Sequence, residues 1–121
     1  MASVQESVQL APFTYYKVGG PARYFFEAAT RDEVREAILF AQNKNLPFVV
    51  LGSGSNVLIS DKGFEGVLIR LSLSDIKIDG THVTAEAGVP MARVVAASVA
   101  ESLAGIEWAI GIPGGLGGSI R

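Results

Sequence analysis

The sequence predicts an α+β fold in two consecutive units, residues 1–71 and 72–121, and three observations carry that expectation. A capped, amphipathic helix sits among short β-forming runs in the first half. An Asp-Gly hairpin signal, followed by a helix rich in alanine and valine, opens the second. Hydrophobic residues make up 49% of the chain and charged ones 18%, which supplies a packed core and argues against disorder.

In chain order, FTYYKVGGPARYFFEAAT opens with a strand, breaks at Gly19, Gly20 and Pro21, and resumes as a strand over residues 23–27. Thr30 and Glu33 form a capping box, the hydroxyl accepting from the backbone and the carboxylate reaching back to it. Behind it Val34, Ala37, Ile38 and Ala41 recur at helical spacing, giving one apolar face. Asn43, Lys44 and Asn45 ahead of Leu46 and Pro47 form the stop. FVVL is too short for a helix and rich in β-formers, so a buried strand is expected there. The loop GSGSN follows, then VLIS as another strand, then the turn DKGFEG into the strand VLIRL.

The second unit starts with the hairpin IKI-DG-THVTAEA. Pro90 suits the first turn of a helix running to about Ala104, and Gly105 ends it. IEWAI and the run GIPGGLGG close the chain. A hairpin with one helix is a weak unit, because an isolated two-stranded sheet is marginal in water. The last residues are apolar and glycine-rich, so the chain is expected to stop inside a domain. On that expectation, residues 76–87 and those from Ile106 onward carry an unpaired edge that draws the chain into self-association.

Composition narrows the function. A net charge of -2 supplies no electrostatic footprint for nucleic acid. With no cysteine and one histidine, His82, neither a disulfide, a thiolate metal site nor a multi-histidine metal site is expected. MASVQESVQL lacks the basic and apolar regions of a signal peptide, and no run approaches the ~20 apolar residues of a membrane span. The expected location is cytoplasmic.

The chemistry sits in two glycine-rich segments. In LGSGSN, Gly52 and Gly54 permit positive φ and close approach of the main chain to a ligand. Ser53, Ser55 and Asn56 add short polar side chains beside several backbone N–H groups, the makings of an anion nest. A plain tight turn accounts for the same residues. The third glycine of a dinucleotide fingerprint would fall at Val57, a strand rather than a helix is expected to follow, and no Gly-Lys-Ser/Thr occurs, so neither a Rossmann nor a Walker loop fits. In GIPGGLGGSI, five glycines between positions 111 and 118 point to backbone wrapped closely around something. The interleaved Ile110, Ile112, Pro113, Leu116 and Ile120 do not suit a solvated linker. Amide donors would let an acidic chain hold a dianion.

The ordered set KVGGPAR, LPFVVLGSGSNVLIS, GFEGVLIRL, AEAGVP and GIEWAIGIPGGLGGSIR resembles the UDP-N-acetylenolpyruvoylglucosamine reductases. These are flavoenzymes of bacterial peptidoglycan synthesis in the vanillyl-alcohol-oxidase-like FAD superfamily. The resemblance implies a vanillyl-alcohol-oxidase-type FAD-binding domain, its first subdomain whole and its second incomplete. It implies FAD held by Gly52, Ser53, Gly54, Ser55 and Asn56, and by Ile112, Pro113, Gly114, Gly117, Gly118 and Ser119, with Gly88 near the cofactor. Thr14, Gly19, Gly20, Pro21 and Ala22 match the family's opening motif, where a simple strand-breaking turn is an equal reading. Some superfamily members attach flavin through His or Cys at the first loop; neither is there, so binding is expected to be noncovalent. The complete family reduces UDP-N-acetylglucosamine enolpyruvate with NADPH through FAD. Its catalytic serine, arginine and glutamate belong to a part outside this chain, so no catalytic residue is carried over and the chain alone is expected to be inactive. The alternatives are another FAD-linked oxidase of the superfamily, or a noncatalytic fragment with weak or no flavin binding.

The remaining residues read as structural. Ser53, Ser55 and Ser119 have no histidine base nearby, His82 faces solvent from a strand, Trp108 is a core side chain, and Arg121 is an end rather than a catalytic cation. Gly54→Val is expected to abolish FAD binding and spare the fold, since the loop is a connection rather than core.

Overall fold

The computed structural model describes residues 3–120, so Arg121 lies outside the described residues. The first 71 residues supply a four-stranded mixed sheet of order β1-β2-β4-β3, made of β1 (Val4–Gln9), β2 (Pro21–Ala28), β3 (Phe48–Leu51) and β4 (Phe64–Leu71). β1 runs antiparallel to β2, while β2, β4 and β3 are mutually parallel. Helix α1 (Arg31–Asn43) crosses from β2 to β3.

The capping box forms as read: Glu33 N–H donates to Thr30 Oγ1 at 3.2 Å, and Thr30 N–H donates to Glu33 Oε2 at 3.2 Å. At the other end Asn45 takes φ +53, Leu46 N–H reaches the Ala41 carbonyl and Asn45 N–H that of Gln42. Those two bonds are a Schellman closure with asparagine in the left-handed position. Ala37 and Ala41 let the helix lie close on Phe26, Ala28, Val67 and Ile69 of the sheet. Phe40 meets Tyr24 and Phe26 edge-on at 5.0 and 5.1 Å, a geometry aromatic quadrupoles favour.

The opposite sheet face carries Ala22, Phe25, Leu51 and Leu68, and among the described residues no α-helix covers it. Leu10, Phe13, Val57 and Ile59 do so from loops. Here the structure corrects the sequence reading of VLIS: residues 57–60 belong to no strand or sheet. Val57 and Ile59 point at the core and Leu58 is exposed, so the alternation is that of a lid strip, with the same period as a strand. The strand placed at the start of FTYYKVGG is likewise absent, since residues 11–13 form a 3₁₀ turn. The true first strand is VQESVQ, a polar edge strand in the manner of edges that avoid aggregation. FVVL is a strand but not a buried one: Phe48, Val49 and Val50 are half exposed at the other edge, and only Leu51 is buried.

In the second half β5 (Ile76–Asp79) and β6 (His82–Ala85) pair as an antiparallel hairpin, turning at Gly80 with φ +59. His82 is exposed on it, as expected. Helix α2 (Met91–Ala100) starts directly after Pro90 and ends earlier than Ala104. Ser102, at φ +58, takes the left-handed cap position assigned to Gly105, with Leu103 N–H on Ser98 O and Ser102 N–H on Val99 O. A serine in that conformation gives no glycine signal to read. A 3₁₀ turn follows at Glu107–Gly111, then the short helix α3 (Leu116–Ile120). Trp108 is 73% exposed rather than core, its indole N–H donating to the Gly105 carbonyl at 3.1 Å. In the same turn the Glu107 carboxyl is held below the usual carboxylate range by hydrogen bonds from its own backbone N–H and from that of Gly105. The core of this half is Met91, Val95 and Ala109, with Ile106 and Leu116 packed against it.

Candidate functional site

Parallel strands bring their carboxyl ends to one side of a sheet, where loops can converge on a ligand. Residues 52–56 leave the end of β3 there, and Arg70 and Leu71 end β4 beside them. Leu51 and Arg70 are register partners, which fixes the loop next to the β4 terminus.

Gly54 and Gly52 in this loop have different jobs. Gly54 has φ +72, and a Cβ on it would overlap the Phe13 carbonyl oxygen. Its own carbonyl accepts from Tyr15 N–H at 2.8 Å. Gly54 is thus a close-packing glycine, buried against residues 13–15. A Cβ on Gly52, by contrast, meets nothing within 4 Å. Ser53 and Ser55 hydroxyls lie 3.3 Å apart. Among the described residues, the N–H groups of Ser53, Gly54, Ser55 and Asn56 donate to no protein acceptor. Backbone donors are rarely left unspent unless water or a ligand takes them.

The opening motif buttresses this loop. The single hydroxyl proton of buried Thr14 is shared between Val18 O at 3.0 Å and Ala11 O at 3.2 Å, curling residues 11–18 under the loop. A Cβ on Gly19 would stand 3.1 Å from Ile59 Cβ, and one on Gly20 would overlap the Asp61 carbonyl. The pair is needed for close packing against the 59–63 strip.

The second glycine run is stitched to the segment before α2. Pro90 and Gly115 form an antiparallel bridge, Met91 N–H donates to Gly114 O, Leu116 N–H to Val89 O, and Gly117 N–H to Ala87 O. Cβ atoms on Gly115 and Gly117 would crowd Ala87 at 3.0 and 2.8 Å. Gly88 is packed for the same reason, against the Leu73 carbonyl. Gly114, at φ +106, is where the two runs meet: a Cβ there would stand 3.0 Å from Ser55 Oγ and 3.6 Å from Ser53 Oγ.

Between them lies a cleft of about 230 Å³ lined by Gly52, Ser53, Arg70, Leu71, Gly88, Pro90, Gly114 and Gly115. It thus gathers Gly52, Ser53, Gly88 and Gly114 from the residues singled out in the sequence, with Ser55 touching its rim. Gly54, Asn56, Ile112 and Pro113 are not in the lining, and Gly117, Gly118 and Ser119 lie on α3 rather than in a loop. Arg70, Leu71, Pro90 and Gly115 were not singled out. The cleft is smaller than the ~300–1,000 Å³ typical of pockets for drug-sized ligands, a volume suited to a group of diphosphate size rather than to a whole dinucleotide. Open space above Gly52, free amides on the following residues and a cation on the wall suit an anionic diphosphate. Among the described residues, no cluster of His, Cys, Asp and Glu could hold a metal ion, and no helix is long and apolar enough to cross a membrane.

Residues 22–121 match the family described as FAD binding domain. The chain belongs to that family. It is 39% identical over 108 residues to a UDP-N-acetylenolpyruvoylglucosamine reductase of Clostridium botulinum, covering 88% of this chain and 35% of that protein. It is 38% identical over 119 residues to the Synechococcus sp. protein of the same name, covering 96% of this chain and 38% of the relative. The crystal structure of the Thermus caldophilus reductase superposes with a TM-score of 0.78 at 31% identity, over 100% of this chain and 42% of that one. The chain therefore spans a little over a third of the length of the curated relatives it matches. Its mixed sheet and helices have the fold of the corresponding part of that reductase, as the expected α+β flavin-binding class requires.

Proposed function

We propose that this FAD-binding domain holds the FAD diphosphate in the cleft between residues 52–55 and Gly114. The enzyme so served would reduce UDP-N-acetylglucosamine enolpyruvate to UDP-N-acetylmuramate with NADPH, in the cytoplasm, for peptidoglycan synthesis. The observation that carries the reading is Gly52: its missing side chain opens onto the cleft, next to backbone donors without protein acceptors. The reductase names of the relatives support the reaction. Bound there, FAD supplies the hydride chemistry, while the chain binds and orients it. Ser53 and Ser55 offer hydroxyls at the rim, and the Gly114 segment closes the second wall. The attachment is noncovalent, as the loop carries neither His nor Cys. The change of sheet after Leu71 supports a division into two subdomains, residues 1–71 and 72–121.

Thermal unfolding with added ligand tests the site. FAD at a hundred times its Kd should stabilise the chain by about 2.7 kcal/mol through mass action. FMN, with one phosphate and no adenylate, should do less at equal concentration. Equal shifts, or none with saturating FAD, would count against the cleft. NADPH oxidation dependent on the enolpyruvyl sugar should stay at the buffer-plus-FAD level, because the family resemblance assigns proton transfer to residues outside these 121.

The second half should also bring copies of the chain together. Trp108, Ile110, Ile112 and Ile120 stand exposed there, at 73, 58, 36 and 78%. Apolar residues of that size seek cover. Light scattering should give a dimer or larger species; a monodisperse monomer would sink this part of the proposal.

A further inference from the structure

We propose that Arg70 is the cation that grips the anion in this cleft, with Glu27 as the residue that positions it; this rests on the diphosphate reading above. Among the described residues, Arg70 is the one charged residue lining the cleft. It is the penultimate residue of β4, on the sheet face shared with Leu68, opposite Leu51 in β3 and Glu27 in β2. Its Nη1 donates to Glu27 Oε1 at 2.8 Å, and that oxygen also accepts from Ser72 Oγ at 2.9 Å. The guanidinium carbon lies 5.1 Å from the centroid of the Phe13 ring, which is itself stacked on Phe25. One face and one edge of the guanidinium are thereby fixed.

An arginine carries five N–H donors in a rigid fork, of which this contact uses one. Among the described residues no other protein acceptor takes the rest. The other arginines with recorded partners are engaged elsewhere: Arg23 with Glu65, Arg35 with Asp32, and Arg93 with the Ser74 carbonyl. An exposed ion pair adds little to stability on its own, so joining β2 to β4 is a weak reason for the pair. A planar fork held over an aromatic ring beside free amides matches the way arginine reads phosphate oxygens.

Two measurements on the 121-residue chain decide this. Arg70→Gln should weaken FAD binding about tenfold or more, the loss expected for a charge-assisted hydrogen bond. In the wild type, peptide-mapped modification by phenylglyoxal should show Arg70 protected by FAD and by ADP, and not by riboflavin, which has no phosphate. That measurement stands even if Arg70→Gln does not fold. Wild-type FAD affinity in a folded Arg70→Gln overturns the assignment. So does equal modification of Arg70 with and without FAD, or equal protection by riboflavin. If instead the wild type binds no FAD, or Gly52→Val binds it as well as wild type, the diphosphate reading itself has failed.

Discussion

Gly54→Val should unfold this chain. The new Cβ would overlap the Phe13 carbonyl oxygen and stand 3.1 Å from its carbon, at a backbone φ of +72. Both neighbours are main chain, held by Thr14 and by the hydrogen bond from Tyr15 to Gly54, so neither can move aside cheaply. A β-branched residue in left-handed conformation adds strain of its own, of order 1–3 kcal/mol. The combined loss should reach about 4 kcal/mol or more, in the range that marks a specific steric failure and a large share of a small domain's stability. Urea unfolding followed by circular dichroism measures it; an unchanged midpoint would show that residues 13–15 yield. The sequence-based expectation that this variant keeps its fold is thereby reversed. LGSGSN is a connection in the chain, but it is packed like core.

Gly52→Val should do the opposite, keeping the fold and losing the ligand. No atom lies within 4 Å of the position a Cβ would take, and the φ is one that any residue adopts. Stability should stay within about 0.5 kcal/mol of wild type, as for other unhindered sites. The isopropyl group would fill the cleft wall where the diphosphate sits, so FAD should bind at least about a hundredfold more weakly, roughly 2.7 kcal/mol. Titration of flavin fluorescence against both proteins gives the comparison. Matching affinities would mean that residues 52–56 make an ordinary turn.

These two glycines also mark where sequence reading runs out. The motif identifies the loop; whether a given glycine faces a ligand or a carbonyl depends on residues 13–15, some forty positions away in the chain. Signals that act locally came through: the Thr30–Glu33 box, the Asn45 stop and the hairpin around Gly80 are all in place. Errors arose where a period has two meanings or where tertiary contacts decide. Val57 and Ile59 alternate with Leu58 and Ser60 as a strand would, yet they roof the sheet. Trp108 is as apolar as a core residue, but its indole N–H is taken by Gly105 in a surface turn. Arg70 carried no motif, because its meaning comes from Glu27 and Phe13, which the sheet brings beside it.

The strand order has a consequence for synthesis on the ribosome. β4 lies between β2 and β3 although it is made after both, so neither parallel pairing can form until it emerges. Translation proceeds at about 5–20 residues per second. The 43 residues that separate Glu27 from Arg70 therefore correspond to roughly 2–9 seconds at that rate. In the later part of that interval, once residues 48–51 have been made, the nascent chain presents FVVL without its β4 neighbour, a stretch that holding chaperones are built to shelter.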